Sequence, residues 1–120
     1  MKRILVVEDN ENNLYLFRTI LQKSGYEVIE ARDGAEGVEL AVKEKPDLIL
    51  MDIQLPVLDG YKATKKIKTT EETKNIPIIA LTSFAMVGDK EKALNAGCDG
   101  YIEKPIKPKT FVAEIKKYLA

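Results

Sequence analysis

The sequence contains no histidine and no tryptophan, and it has a single cysteine, Cys98, among its 120 residues. The absence of histidine removes the commonest general base and the commonest transition-metal ligand in proteins. It also means that the chain cannot carry a phosphohistidine itself. One cysteine excludes an internal disulfide and a cysteine-rich metal site, so we expect Cys98 to be a small packed residue.

Long apolar runs are also missing. The longest are far too short for a membrane-spanning helix, and residues 1–4 open a strand rather than a secretory signal. We therefore expect a cytoplasmic protein that does not bind membranes.

The formal net charge is zero, but residues 1–60 have a balance of −5 and residues 61–120 a balance of +5. Nucleic-acid binding usually needs an excess of basic residues, and the second half of the chain has one. The lysines of the second half are better explained as solvated helix faces, so direct binding of nucleic acid is not expected.

What the chain does contain is an alternation of strand and helix patterns that repeats five times. This alternation is typical of an α/β fold, in which a parallel sheet has helices on both faces. Buried parallel strands have continuous apolar runs like those of this chain. The patterns predict a strand over residues 27–31, and helices over residues 12–23, 61–68 and 90–95 and from Pro108 onward.

The second helix follows Asp33 and Gly34 and is expected to bury one face. The apolar residues that share this face are predicted to be Ala35, Val38, Ala41 and Val42. A chain of this length corresponds to one domain, residues 1–120.

Four apolar runs end in residues that are suited to phosphate or metal chemistry. These residues are Glu8 and Asp9 after the first run, and then Asp52, Thr82 and Lys104. Ligands of open parallel sheets bind outside the carboxyl ends of the strands, so we expect these side chains to converge there. Three carboxylates predict a site for a hard divalent cation, and a hydroxyl with an amine predicts a site for a phosphoryl group.

Each of these residues also has an ordinary structural explanation. Asp52 alone is typical of a loop cap, Asp9 or Asn10 is suited to cap the first helix, and Thr82 is suited to cap another. Lys104 alone would be interpreted as a surface lysine at the end of a strand.

Taken together, four motifs resemble the response-regulator receiver domains of two-component signalling, over the whole length of the chain. The motifs are Val6-Val7-Glu8-Asp9-Asn10, Leu50-Met51-Asp52-Ile53-Gln54-Leu55-Pro56 with Asp59-Gly60, Ala80-Leu81-Thr82-Ser83, and Lys104-Pro105. The resemblance implies a flavodoxin-like (βα)5 fold, with a five-stranded parallel sheet in the order 2-1-3-4-5.

The resemblance also implies a role for each residue of the site. Asp52 would accept a phosphoryl group. Mg²⁺ would be held by Glu8, Asp9, Asp52 and the main-chain carbonyl of Gln54. The phosphoryl group would be contacted by Thr82 and Lys104, and the chain would catalyse its own phosphorylation and dephosphorylation without being a conventional enzyme.

In this family a threonine and an aromatic residue form the conformational switch, here Thr82 and Tyr101. The switch would alter the surface made by the fourth helix, the fifth strand and the fifth helix. The alternative for Tyr101 is a half-buried strand tyrosine. A bulky Phe84 would shield the aspartyl phosphate, and the peptide bond before Pro105 is commonly cis in the family.

The partners implied by the resemblance are a sensor histidine kinase or a histidine phosphotransfer protein as donor, and a downstream protein or kinase as target. A stand-alone regulator, monomeric or weakly dimeric, is the main interpretation. The alternative is a receiver excised from a hybrid kinase or a multidomain regulator.

Two enzyme-like interpretations are less favoured by the residues. A phosphatase of the haloacid dehalogenase class needs a second aspartate two residues after the nucleophile, where this chain has Gln54. A nucleotide-binding α/β protein of the usual kinds needs a glycine-rich phosphate loop, and the sequence has none. A docking module that is never phosphorylated is expected to lack Asp52, Thr82 or Lys104, and all three are present.

Overall fold

The computed structural model describes residues 1–55, 57–82, 89–104 and 106–119. In this part of the chain, five parallel strands form one sheet in the order β2-β1-β3-β4-β5, and this confirms the predicted fold. The strands are β1 Arg3–Val7, β2 Glu27–Ala31, β3 Leu48–Asp52, β4 Ile78–Thr82 and β5 Gly100–Glu103.

Five helices connect or follow the strands in the described residues. They are α1 Glu11–Lys23, α2 Gly34–Glu44, α3 Gly60–Thr69, α4 Asp89–Ala96 and α5 Pro108–Leu119. The predicted helix bounds differ from the observed ones by at most one residue at either end, which is within the usual uncertainty for helix termini. Among these helices, none is long and apolar enough to cross a membrane.

Side-chain caps explain why the first three helices begin where they do. The carboxylate or amide oxygens of Asn10, Asp33 and Asp59 accept hydrogen bonds, at 2.7 to 3.0 Å, from backbone N–H groups three residues further along. Each bond satisfies a donor that has no partner within its helix. Of the two cap candidates for α1, the structure uses Asn10.

Alternate residues of the central strands point to opposite faces of the sheet and contribute to two separate hydrophobic clusters. In β1, Leu5 and Val7 pack with α2, α3 and α4, whereas Ile4 and Val6 pack with α1 and α5. The rings of Phe17 on α1 and Phe111 on α5 lie 5.6 Å apart, centroid to centroid. Burial of this apolar surface on both faces holds the strand ends in fixed positions.

The predicted buried face of α2 is wrong in two of its four residues. Ala35 is exposed and Val42 is 38% exposed, while the buried residues of the helix are Gly34, Gly37 and Ala41. Glycine faces the core because the backbone of α2 lies very close to its neighbours. A Cβ atom on Gly34 would lie 1.9 Å from the carbonyl oxygen of Leu58.

Candidate functional site

The five residues predicted to contact the metal ion or the phosphoryl group through their side chains lie at the carboxyl edge of the sheet. Glu8 and Asp9 follow β1 directly, Asp52 is the last residue of β3, Thr82 is the last residue of β4, and Lys104 follows β5. Since β1, β3, β4 and β5 are adjacent and parallel, their carboxyl ends form one continuous edge. The order of the strands therefore brings together residues that are far apart in sequence.

Three carboxylates form a cluster at this edge. One carboxylate oxygen from each of Glu8, Asp9 and Asp52 lies within 4.8 Å of the others. Glu8 is 1% exposed and Asp52 is 5% exposed, whereas Asp9 is exposed to solvent. The cluster thus has two buried members and one that opens to solution, which is suitable for a cation that keeps part of its water shell.

Lys104 neutralises part of this negative charge. Its ammonium group forms an ion pair with the Oε1 atom of Glu8 and a second one, at 3.3 Å, with the Oδ2 atom of Asp52. The Lys104 side chain is 11% exposed. A cation with this degree of burial interacts more strongly with its partners than a surface lysine does, so the surface-lysine interpretation does not describe Lys104.

The pKa of the Glu8 carboxyl is raised above its ordinary value. Burial is the main cause, and the neighbouring carboxylate of Asp52 adds to it. Lys104 acts in the opposite direction without cancelling these effects. Burial and the charge of Asp52 therefore both favour the protonated form of Glu8.

Backbone contacts fix the position of Asp52. The backbone N–H of Gln54 donates a hydrogen bond of 2.9 Å to the Oδ1 atom of Asp52. Gly60, the first residue of α3, lies directly against the strand end, because a Cβ atom there would be 2.3 Å from the carbonyl oxygen of Asp52. Only glycine permits this approach, and its signal in the sequence is the Asp59-Gly60 pair.

Thr82 and Tyr101 occupy neighbouring strands. Thr82 is fully buried and its carbonyl oxygen accepts a 2.6 Å hydrogen bond from the backbone N–H of Lys104. Tyr101 is half-buried, pairs in register with Ala80, and packs against the cluster beneath α3 and α4. The half-buried strand tyrosine expected as an alternative is thus the arrangement in this structure.

Sequence reasoning missed the residues that support Glu8. The backbone N–H of Asn10 donates to its Oε2 atom at 3.2 Å, and the side-chain amide of Asn13 donates to its Oε1 atom at 3.4 Å. The available signal is the spacing, because Asn13 is the third residue after the cap of α1 and therefore faces back toward the start of the helix. Phe84 and Pro105, for which further predictions were made, lie outside the described residues.

Three clustered carboxylates, with an ammonium group paired to two of them and a threonine at the end of the next strand, form a site of a recognisable chemical class. Such a set of groups suits an oxygen-ligated divalent cation together with a phosphoryl group. The chain belongs to the response-regulator receiver domain family, whose model matches residues 4–116.

Within the receiver domain family, this chain is most informatively compared with individual response regulators. The chain is 50% identical, over 118 residues, to the polar-differentiation response regulator DivK of Brucella anthropi, and the match covers 98% of this chain and 96% of that protein. It is 51% identical, with the same coverage, to the protein of the same name from Brucella ovis. The resemblance is thus to a particular group of response regulators.

Solved structures agree with the fold. A sensor histidine kinase receiver domain from Pseudomonas aeruginosa, crystallised with a magnesium ion coordinated in the active site cleft, is 41% identical with a TM-score of 0.92. The likeness covers 98% of this chain and 97% of that chain. The chemotaxis protein CheY4 of Vibrio cholerae is 30% identical with a TM-score of 0.92, and 98% of each chain is covered.

Proposed function

We propose that this receiver domain is a phosphorylation-controlled signalling module in which Asp52 accepts a phosphoryl group. The observation that carries the proposal is the convergence of three carboxylates within 4.8 Å, with the ammonium group of Lys104 paired to two of them. The same residues separated on the surface would be ordinary charged side chains.

The carboxylate cluster fits Mg²⁺ as a cofactor. Glu8, Asp9 and Asp52 would hold the ion, with the main-chain carbonyl of Gln54 as a further ligand. The exposure of Asp9 leaves room for the water molecules that Mg²⁺ retains. Bound there, the ion supplies positive charge that offsets the repulsion between the carboxylates and an incoming phosphoryl group. The magnesium ion in the Pseudomonas receiver domain supports this assignment.

The proposed reaction transfers the phosphoryl group from a histidine nitrogen of the donor to a carboxylate oxygen of Asp52. A carboxylate oxygen of Asp52 attacks the phosphorus atom of a phosphohistidine on the donor, the P–N bond breaks, and its electron pair returns to the imidazole nitrogen. Lys104 holds positive charge beside the transferred group. Dephosphorylation is the attack of water on phosphorus, which breaks the P–O bond and restores the carboxylate of Asp52.

Thr82 and Tyr101 would convert phosphorylation into a change of surface. The hydroxyl group of Thr82 would donate to a phosphoryl oxygen, and Tyr101 on the adjacent strand would respond by a change in burial. Order and packing changes driven by a phosphoryl group are a common way to alter a binding surface. The surface affected would be that of α4, β5 and α5.

The proposed donor is a sensor histidine kinase or a histidine phosphotransfer protein, and the proposed target is a downstream protein or kinase. The high identity to DivK regulators over almost their full length supports this stand-alone type of role. The similarity to a receiver domain of a histidine kinase supports the alternative, in which this receiver is part of a hybrid kinase or a multidomain regulator.

The test is intact mass spectrometry after incubation with acetyl phosphate and Mg²⁺. We expect one phosphoryl addition that requires Mg²⁺ and is absent in the Asp52→Asn variant. Asp33→Asn is the matched control, because asparagine also caps a helix, and Asp33 caps α2 and is not one of the three clustered carboxylates. Absence of the addition in the folded wild-type protein, or its persistence in Asp52→Asn, would refute the assignment.

A further inference from the structure

A basic groove lies between α3 and α4, away from the carboxylate cluster. It has a volume of about 400 Å³ and is lined by Tyr61, Lys62, Lys65, Lys92, Asn95 and Ala96. The two helices pack side by side, and each contributes lysines to the same opening. No acidic residue is among the lining residues in the described part of the chain.

The three lysines of this groove lack partners within the described residues. None of Lys62, Lys65 and Lys92 forms an ion pair there. By contrast, Lys68, on the same helix as the first two, is paired with Asp99 at 2.8 Å. Uncompensated charges of one sign in a concave site attract counterions and raise their local concentration.

The three lysines and Asn95 are exposed to solvent, so a dissolved ligand can reach them directly. Tyr61 is half-buried and contributes aromatic surface, and the amide of Asn95 offers both a donor and an acceptor. Small-molecule sites have volumes of about 300–1,000 Å³ and combine apolar surface with a few polar groups, so this groove lies within the range.

We propose that the α3–α4 groove binds a small anion that carries a diphosphate or triphosphate group, such as a nucleotide or an inorganic polyphosphate. Lys62 and Lys65 would contact the phosphates from α3, and Lys92 would contact them from α4. In a nucleotide, the base would lie against Tyr61 and Asn95. This site is independent of the phosphorylation of Asp52, so the two proposals succeed or fail separately.

The experiment is isothermal titration calorimetry of the full chain with three probes, namely inorganic tripolyphosphate, ATP and GTP. The buffer contains EDTA, so that the carboxylate cluster does not retain phosphate through a metal ion. We expect saturable binding that weakens as the salt concentration rises. Tighter binding of a nucleotide than of tripolyphosphate would identify a base contact, and equal binding would identify the phosphate chain as the whole ligand.

Five single variants test the location of the site. Lys62→Ala, Lys65→Ala and Lys92→Ala should each weaken binding about tenfold, the typical loss of a charge-assisted hydrogen bond. Lys66→Ala and Lys90→Ala remove the same charge from exposed positions on the same two helices that do not line the groove, and they should change binding less than twofold. Equal losses in all five variants, or no saturable binding of any probe, would overturn the proposal.

Discussion

Replacement of Lys104 by methionine is the most informative perturbation of the carboxylate cluster. Methionine has a similar length and no charge, so Lys104→Met leaves Glu8 and Asp52 buried without their shared cation. Loss of one partner from a buried ion pair costs about 3–5 kcal/mol when the other charge stays buried. The loss of stability can be smaller than this, however, because Glu8 can bind a proton and lose its charge.

The cost of that proton limits the part of the destabilisation that comes from the charge of Glu8. The pKa of a glutamate has an ordinary value of 4.5, so protonating it near pH 7 costs about 3.4 kcal/mol, and near pH 5 about 0.8 kcal/mol. In the folded Lys104→Met variant, Glu8 keeps its proton at pH values where Glu8 of the unfolded chain has lost it. Stability is therefore lost as pH rises above the ordinary value, and it is regained when pH is lowered.

Urea denaturation in EDTA at these two pH values measures the effect. Relative to wild type, Lys104→Met should lose between about 2 and 3.4 kcal/mol near pH 7, and less than about 1 kcal/mol near pH 5. The matched control is Lys107→Met, since Lys107 is exposed and its loss should cost less than about 0.5 kcal/mol. Equal losses of Lys104→Met at both pH values would refute the reasoning, as would an equal loss in the control.

Four further predictions follow from the structure. Mg²⁺ should raise the thermal midpoint of the wild type, because it binds the assembled cluster alone, and differential scanning fluorimetry should show a smaller shift for Asp9→Asn. Gly34→Ala should lose about 1–3 kcal/mol in urea, because its Cβ would lie 1.9 Å from the carbonyl oxygen of Leu58. Burial raises the pKa of the Cys98 thiol, so a disulfide reagent should label Cys98 only as fast as the chain opens. Val57 has a φ of +67°, and Val57→Gly should stabilise the fold by up to about 1 kcal/mol, the strain of a branched residue less the added freedom of glycine.

Each of these predictions has a clear contrary result. A Mg²⁺ shift that is equal in Asp9→Asn would place the ion elsewhere. Wild-type stability in Gly34→Ala would mean that α2 can move away from the loop at no cost. Labelling of Cys98 at the rate of a free thiol would contradict its burial, and a lower urea midpoint for Val57→Gly would show that the left-handed conformation is not strained.

The sheet was predictable because its central strands are buried on both faces. β1, β3 and β4 each contain four consecutive apolar residues, a length that suits a buried parallel strand better than a helix. The face of α2 was not predictable in the same way. A pattern of hydrophobic side chains gives no weight to Gly34 and Gly37, although their lack of a side chain is what allows the helix to lie against its neighbours.

The site was predictable as a list of residues but not as a set of interactions. The rule that ligands bind at strand ends brings Glu8, Asp52 and Lys104 to one edge. It does not say that Glu8 is buried while the adjacent Asp9 is exposed, or that Lys104 pairs with both buried carboxylates. These facts depend on packing between distant segments, which no local pattern contains.

The ion pair between Glu8 and Lys104 joins positions 96 residues apart, and this separation has a consequence for how the protein is made. A ribosome releases the three carboxylates long before it reaches Lys104, and the first 60 residues carry an excess of five negative charges. The nascent first half therefore has an acidic cluster without its cation, and self-repulsion opposes its compaction. Folding of this edge of the sheet must wait until Lys104 has been synthesised, and dissolved cations or a chaperone have that interval in which to act on the growing chain.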